Sequence, residues 1–355
     1  CVPGDVGGSE EYLVRQLIGL GEAAPSVRPT LYVVEGFVEA HRDLAESFPT
    51  IVASFDGASR ARRIVGESTW FRRQAASADL RHHGGGAAPL GATRPYILTI
   101  HDLQYRTYPE YFSRTKRAYL AAMIGRSVRR ARLVTVPSEY VRRSVVEAYG
   151  VVASNVRVVP HGFEPDLLTD FTDEVELRRR YELGDGPVLV YPAVTHHHKN
   201  HRFLIDLLES TWRDPDLRLV LTGANGTAEP EVRAATDTRI RRVGRVTFED
   251  RNGLLKMAEA MVFPSQYEGF GAPLIEAMAL GCPVVASDST CIPDIVDGAG
   301  LVLPLVTEAW SDALDRVGRE RATMVAAGKL RAEAFTARSS GAALADAYAV
   351  ALERS

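Results

Sequence analysis

Ser265-Gln266-Tyr267-Glu268-Gly269-Phe270-Gly271-Ala272-Pro273-Leu274-Ile275-Glu276-Ala277-Met278-Ala279-Leu280-Gly281 is the most informative stretch of this chain. It follows the apolar run Ala260-Met261-Val262-Phe263, which reads as a strand ending at Pro264. Gly269 and Gly271 let the backbone come close to a ligand. Pro273 suits the first turn of a helix and Gly281 its end. The N–H groups at such a helix start suit a phosphate. Glu276, about one turn into the helix, is placed to accept hydrogen bonds from a ribose diol. Glu268, just before the turn, sits where a sugar attached to that phosphate would lie. Two glutamates eight apart mean little alone, because surface helices produce that spacing by chance. Their place in a strand, turn and helix gives them meaning.

The same unit recurs outward along the chain. In the back half, Val188–Tyr191, Leu217–Leu221, Pro283–Ala286 and Gly300–Leu303 are further short apolar strands with helices fitting between them. The front half repeats the pattern at Leu31–Val34, Thr50–Ala53, Tyr96–Ile100, Leu133–Val136 and Val156–Val159. Continuous β-branched runs separated by helical patterns imply parallel sheets buried on both faces. The fold class is therefore α/β, with two Rossmann-like, doubly wound domains and a boundary near Pro160–Pro165. In such sheets ligands sit beyond the carboxyl ends of the strands. Polar runs occupy those ends here: His101-Asp102, Pro137-Ser138-Glu139 with Ser138 as a helix N-cap, Thr222-Gly223 and Ser287-Asp288. The Ala-rich segment Ser340–Glu353 reads as a final helix.

Bulk properties agree. A chain of 355 residues is too long for one ordinary core. With 46% hydrophobic and 25% charged residues and a mean hydropathy of -0.09, it is neither disordered nor fibrous. Cys1, Cys282 and Cys291 form no disulfide framework. No stretch approaches the roughly 18 apolar residues of a spanning helix. The net charge of -3 argues against a nucleic-acid partner. That charge is divided: 21 Lys and Arg stand against 15 Asp and Glu up to Phe163, and 21 against 30 beyond it, so the two halves should meet different partners. Only four of the 42 basic residues are Lys, which fits GC-rich coding more than guanidinium chemistry. The chain opens at Cys1 without Met, so a first strand or targeting segment is expected upstream.

The stretch 265–281 resembles the E-x7-E signature of the retaining glycosyltransferases of the GT-B fold, in family 4. The resemblance covers nearly the whole chain and runs in order. It takes in Gly4-Asp5-Val6-Gly7-Gly8-Ser9-Glu10, Thr99-Ile100-His101-Asp102-Leu103, Val136-Pro137-Ser138-Glu139 and Val159-Pro160-His161-Gly162-Phe163. His198-Lys199-Asn200 and the segment from Phe263 to Asp288 complete it. It implies two domains facing across a cleft. Residues 1–163 would form the acceptor-side domain and 164–338 the nucleotide-sugar domain. Residues 339–355 would form a helix packing back on the first domain.

By the same resemblance Glu276 would hold the ribose and Glu268 the transferred sugar. The amides of Phe270 and Gly271 would meet sugar and diphosphate, with Gly269 beside them among the donor-binding residues. Lys199 would neutralise the diphosphate as charge develops on the leaving group. His101 would hydrogen-bond the donor sugar, and Gly7, Gly8, Gly223 and Val243 complete the donor-binding set. Many relatives carry an Arg three residues before this Lys, where this chain has Ala193. Arg202 or another group would have to compensate.

Other clusters have plainer readings. His196-His197-His198 with His201 lacks the second ligand cluster a zinc site usually has, and reads as a loop beside the donor phosphates. Asp214-Pro215-Asp216 reads as a turn before a strand. No metal and no cofactor are expected. His82-His83-Gly84-Gly85-Gly86 reads as a loop, either lining the acceptor side or simply flexible. Ser9 alternatively caps an ordinary turn. Arg114, Lys116, Arg117, Arg126, Arg129, Arg130 and Arg132, with Tyr119, Leu120, Met123 and Ile124, form a basic amphipathic helix. A solvated face is the commoner meaning, and docking on an anionic membrane the alternative.

The function implied is a hexosyltransferase moving mannose, or another hexose, from GDP-mannose or a UDP-sugar to a glycan or lipid-linked glycan. Its location would be cytoplasmic, with peripheral contact at the inner face of the membrane as a variant. No carboxylate is an evident double-displacement nucleophile, and the resemblance implies a front-face route, with domain closure about Pro160–Gly162 excluding water. A nucleotide-sugar 2-epimerase of the same fold and a catalytically silent sugar-nucleotide binder are the alternatives.

Overall fold

The computed structural model describes residues 8–55 and 65–353. The chain divides into two compact units, Cys1–Gly162 with Thr336–Ser355, and Phe163–Phe335.

In the first unit β1 (Leu31–Val33) pairs with β2 (Thr50–Val52). A second parallel sheet runs β3 (Arg81–His83), β4 (Tyr96–Thr99), β5 (Leu133–Val136), β6 (Val156–Val158), in that spatial order. Every residue of β4 and β5 is buried, because helices cover both faces. On one face Tyr96, Leu98, Val134 and Val136 pack with Ile124 and Val128 of the Arg114–Arg130 helix and Val141 and Val145 of the Glu139–Tyr149 helix. Ser138 caps the latter, its hydroxyl accepting from the Val141 N–H. On the other face Ile97 and Leu133 pack with Leu20 and with Leu344, Ala347 and Ala351. Leu20 lies in the Gly8–Ala23 helix, and the other three lie in Ala337–Glu353.

Those two helices touch backbone to backbone. A Cβ on Gly19 would stand 1.7 Å from the Ala337 carbonyl oxygen, and one on Gly341 would stand 1.9 Å from the Gly19 carbonyl carbon. Only glycine at both positions permits the approach. The pair then grips the segment leaving β6. Tyr12 Oη donates to the Val159 carbonyl at 2.6 Å, and Ser340 Oγ donates to the Pro160 carbonyl at 2.5 Å.

The second unit holds one parallel sheet in the order β12-β11-β10-β7-β8-β9. Its strands are β7 (Val188–Pro192), β8 (Arg218–Thr222), β9 (Ile240–Gly244), β10 (Ala260–Phe263), β11 (Val284–Ser287) and β12 (Leu301–Leu303).

Two strands lay beyond the sequence reading, β3 and β9. Both stand at the end of their sheet among the described strands, where one side of the strand is unpaired and polar side chains are admitted. Arg81-His82-His83 and Ile240-Arg241-Arg242-Val243-Gly244 carry no apolar run for that reason. The expectation of a loop at His82 and His83 is thus corrected. His82 pairs in register with Ile97, accepts or donates at Tyr348 Oη (2.9 Å) and Thr99 Oγ1 (2.7 Å), and is a packed strand residue. Gly84–Gly86 follow as the loop. Ser9 lies inside the helix that opens at Gly8, so it is no cap there.

Candidate functional site

In the second unit the chain leaves β7 toward β8 and β9, and leaves β10 toward β11 and β12. Yet β7 and β10 are neighbours, with Ala260 opposite Leu189. The loops after these two strands therefore diverge, and the crevice between them is the switch point where ligands of such sheets bind. Lys199 comes from the first loop and Glu268 from the second. Lys199 Nζ lies 2.6 Å from Glu268 Oε1, with side-chain exposures of 19% and 11%. The loops are laced beneath this pair. Tyr191 Oη donates to the Lys199 carbonyl at 2.6 Å and lies 3.0 Å from Ser265 Oγ, while the Gln266 N–H donates to the His198 carbonyl at 2.8 Å. Burial holds the Tyr191 phenol well above its ordinary pKa, so it stays a neutral donor.

After Glu268 the chain turns through Gly271, in the left-handed region at φ 87°, into the Ala272–Ala279 helix with Pro273 in its first turn. Gly281, at φ 75°, follows its C-cap. The turn is pinned from behind by the segment after β11. The Glu268 N–H donates to Thr290 Oγ1 at 3.1 Å, and Thr290 itself takes φ 56°, an unusual conformation for a β-branched residue. Cys291 Sγ lies 3.3 Å from both the Glu268 and the Phe270 carbonyl oxygens, which share its one proton. Burial pushes that thiol's pKa up, keeping the proton in place. Glu276 is 4% exposed, and Arg251 Nη1 lies 2.9 Å from its Oε2.

The remaining second-unit residues expected at the site lie at β8 and β9. Gly223, at φ 126°, donates its N–H to the Gly244 carbonyl at 2.8 Å, and a Cβ there would stand 2.5 Å from the Ala193 carbonyl oxygen. Val243 lies on β9, half-buried. Ala193 is buried, and Arg202 lies on the helix that follows Lys199. Its guanidinium is 53% exposed and turned along its own helix to Asp206 at 2.5 Å and Glu209 at 3.3 Å. His196 and His198 stack at 5.7 Å, and burial first, then the Lys199 charge, pushes the His198 pKa down to about 3. Among the described residues no group of three or more His, Cys, Asp or Glu side chains is gathered in a way that would hold a metal ion. Asp214 Oδ1 accepts from the Asp216 N–H, as a turn requires.

In the first unit His101 follows β4. Its Nε2 donates to the Gly84 carbonyl at 2.8 Å, and its ring meets Tyr12 edge-on at 5.3 Å. Donation from Nε2 assigns the neutral ring's acceptor lone pair to Nδ1. Burial lowers its pKa, so this imidazole is neutral. Gly8 is exposed at the head of its helix, and Gly7 lies outside the described residues.

Sequence reasoning missed Arg251, Thr290 and Cys291. Arg251 belongs to the Phe248–Met257 helix, whose flanks read as an ordinary charged surface. Its partner Glu276 is brought to it only by the fold. A left-handed threonine leaves no signal at all in a single sequence.

A parallel sheet with a cation and a carboxylate at its switch point is a doubly wound α/β unit with polar groups where such sheets bind ligands, and the fold of the chain is that of the GT-B glycosyltransferases. Residues 6–167 match the family described as Glycosyltransferase Family 4, and residues 186–320 match Glycosyl transferases group 1. The chain belongs to this family of glycosyltransferases. One relative is the O-antigen chain mannosyltransferase B of Escherichia coli, 28% identical over 58% of this chain. The chain spans 56% of that relative's length. Another is the GDP-mannose-dependent alpha-(1-6)-phosphatidylinositol monomannoside mannosyltransferase of Mycolicibacterium smegmatis, 29% identical over 81% of this chain and 79% of that one. Among solved structures, Anabaena HepE in complex with UDP-glucose superposes with a TM-score of 0.74 at 20% identity, over 98% of this chain and 97% of that one.

Proposed function

We propose that this protein is a retaining hexosyltransferase. It would move mannose, or another hexose, from a nucleoside-diphosphate sugar to a hydroxyl of a glycan or lipid-linked glycan. The observation that carries the reading is the Lys199–Glu268 pair at the switch point, followed in the same turn by the helix that bears buried Glu276. The mannosyltransferases named above support mannose as the first sugar to test, with GDP-mannose ahead of UDP-sugars.

The acceptor oxygen attacks the anomeric carbon from the face the phosphate leaves. The bond from that carbon to the β-phosphate oxygen breaks, and the acceptor's proton passes to the departing phosphate. Lys199 stabilises the charge growing on the diphosphate, and the helix start after Gly271 adds its N–H groups. Glu268 accepts hydrogen bonds from the sugar hydroxyls and Glu276 from the ribose. Gly269, Phe270, Gly271, Gly223 and Val243 form the remaining donor contacts. His101, Gly7 and Gly8 are proposed as further donor-binding residues.

A thermal-shift screen of nucleotide sugars identifies the donor, because selective binding stabilises the native state. With that donor, Glu276→Ala is expected to abolish transfer while Tm changes little. Wild-type activity in the variant removes Glu276 from the site. The anomeric configuration of the product, read by proton NMR, decides retention. Incubation with donor alone separates the readings: a 2-epimerised donor would favour the epimerase. Binding without turnover across an acceptor series would favour a silent binder.

The Arg114–Arg130 helix exposes Arg114, Lys116, Tyr119, Arg129 and Arg130, and no helix among the described residues is long and apolar enough to cross a membrane. Peripheral contact with anionic lipid at the cytoplasmic face is proposed with it. Co-sedimentation with phosphatidylglycerol vesicles, lost on raising salt, is the test.

A further inference from the structure

Glu276 is held by a residue from a different element. Arg251 Nη1 meets its Oε2 at 2.9 Å, and the Arg251 guanidinium lies over the Phe248 ring at 4.9 Å. Nη2 donates to Asn252 Oδ1 at 3.3 Å, and Nε is buried with no hydrogen-bond partner among the described residues. The helix on which Arg251 stands is itself fixed on both sides of it. Asp250 accepts from Thr172 Oγ1 at 2.6 Å, from Tyr181 Oη at 2.5 Å and from Arg180 Nη1 at 2.7 Å. Asn252 Nδ2 donates to the Asp170 carbonyl at 2.9 Å. Neighbours anchored in this way leave the guanidinium aimed at one place, and stacking on Phe248 limits its rotation.

We infer that Arg251 is the positioning residue of the ribose site, holding the Glu276 carboxylate in the orientation that accepts from the sugar diol. This rests on the reading of Glu276 given under Proposed function. An ionised carboxylate only accepts hydrogen bonds, which matches the two O–H donors of a ribose. The match depends on angle as well as distance, since hydrogen bonds weaken steeply when misaligned. A carboxylate released from its guanidinium partner turns about its last bond and loses that alignment. Discrimination between ribose and 2′-deoxyribose therefore belongs to the pair, and not to Glu276 alone.

The test is isothermal titration of the full chain with GDP and UDP and with their 2′-deoxy counterparts. Wild type is expected to bind its preferred ribonucleotide about tenfold more tightly than the 2′-deoxy form, the size of one hydrogen bond to a charged group. Glu276→Gln and Arg251→Gln should both bring that ratio to within about threefold of one. Arg251→Lys, which keeps the charge without the planar fork, should fall between. A general loss of charge or of folding would weaken both nucleotides equally and leave the ratio untouched. A ratio lost in Glu276→Gln but kept at the wild-type value in Arg251→Gln overturns the inference and leaves the ribose reading standing. Should Arg251→Gln fail to fold, a wild-type ratio in Arg251→Lys overturns it in the same way. If wild type itself shows no preference for ribose, the assignment of Glu276 falls, and this inference falls with it.

Discussion

Lys199 is one of four lysines in the chain, and the fold pairs it with a carboxylate. Its ammonium rests on Glu268 at 2.6 Å and lies 5.7 Å from the centre of the Phe263 ring. In the role proposed for it, beside a departing diphosphate, such a cation would stabilise the transition state more than the ground state. Lys199→Ala is therefore expected to lower kcat about 100- to 1,000-fold, with a smaller change in KM, in steady-state assays with the identified donor. Thr290 offers a test in which stability and activity part. Its left-handed backbone costs about 1–3 kcal/mol, while its hydroxyl holds the Glu268 N–H. Thr290→Gly removes both, so Tm should stay within a few degrees while kcat falls. A large drop in Tm with unchanged kcat would mean that the hydroxyl serves folding and not the turn.

At the scale of elements, the pairing of Gly8–Ala23 with Ala337–Glu353 is the tightest helix contact in the first unit, and it depends on Gly19 and Gly341. Gly19→Ala should destabilise the protein by about 1–3 kcal/mol or more, because the new methyl meets a carbonyl that can move only with its helix. Denaturant titration of the variant measures this. A change within about 0.5 kcal/mol would show that the helices separate without cost. The elements also show what a sequence can display. Strands buried on both faces, such as Tyr96–Thr99 and Val284–Ser287, announce themselves as apolar runs. Arg81–His83 and Ile240–Gly244 do not, since a strand at the end of a sheet carries whatever its one neighbour and the solvent allow.

Across the whole molecule, buried histidines tie stability to pH in both units. His82 in the first unit is pushed down to about 3 and His201 in the second to about 4, each mainly by burial. Their folded values lie below the unfolded value of 6.5, so the unfolded chain binds protons that the native chain does not. The native state is fully favoured above pH 6.5 and loses stability as pH falls below it. Each such histidine contributes about 1.4 kcal/mol per pH unit down to its folded pKa. Denaturation midpoints at pH 7.5 and pH 5 should fall accordingly. His82→Gln, which cannot take up a proton, should make the fall shallower for the first unit. An equal slope in the variant would exclude His82 as a contributor.

By itself the sequence determined what repeats locally. Apolar runs, the Gly-Phe-Gly turn, Pro273 and the two glutamates are near neighbours in the chain, and their meaning follows from backbone geometry and burial over a few residues. The tertiary structure alone decided which groups meet. Lys199 and Glu268 lie 69 residues apart, Arg251 and Glu276 lie 25 apart, and Thr290 reaches Glu268 across two strands of one sheet. Such contacts exist only once hydrophobic burial has stacked the strands in their spatial order, and no local pattern encodes that order.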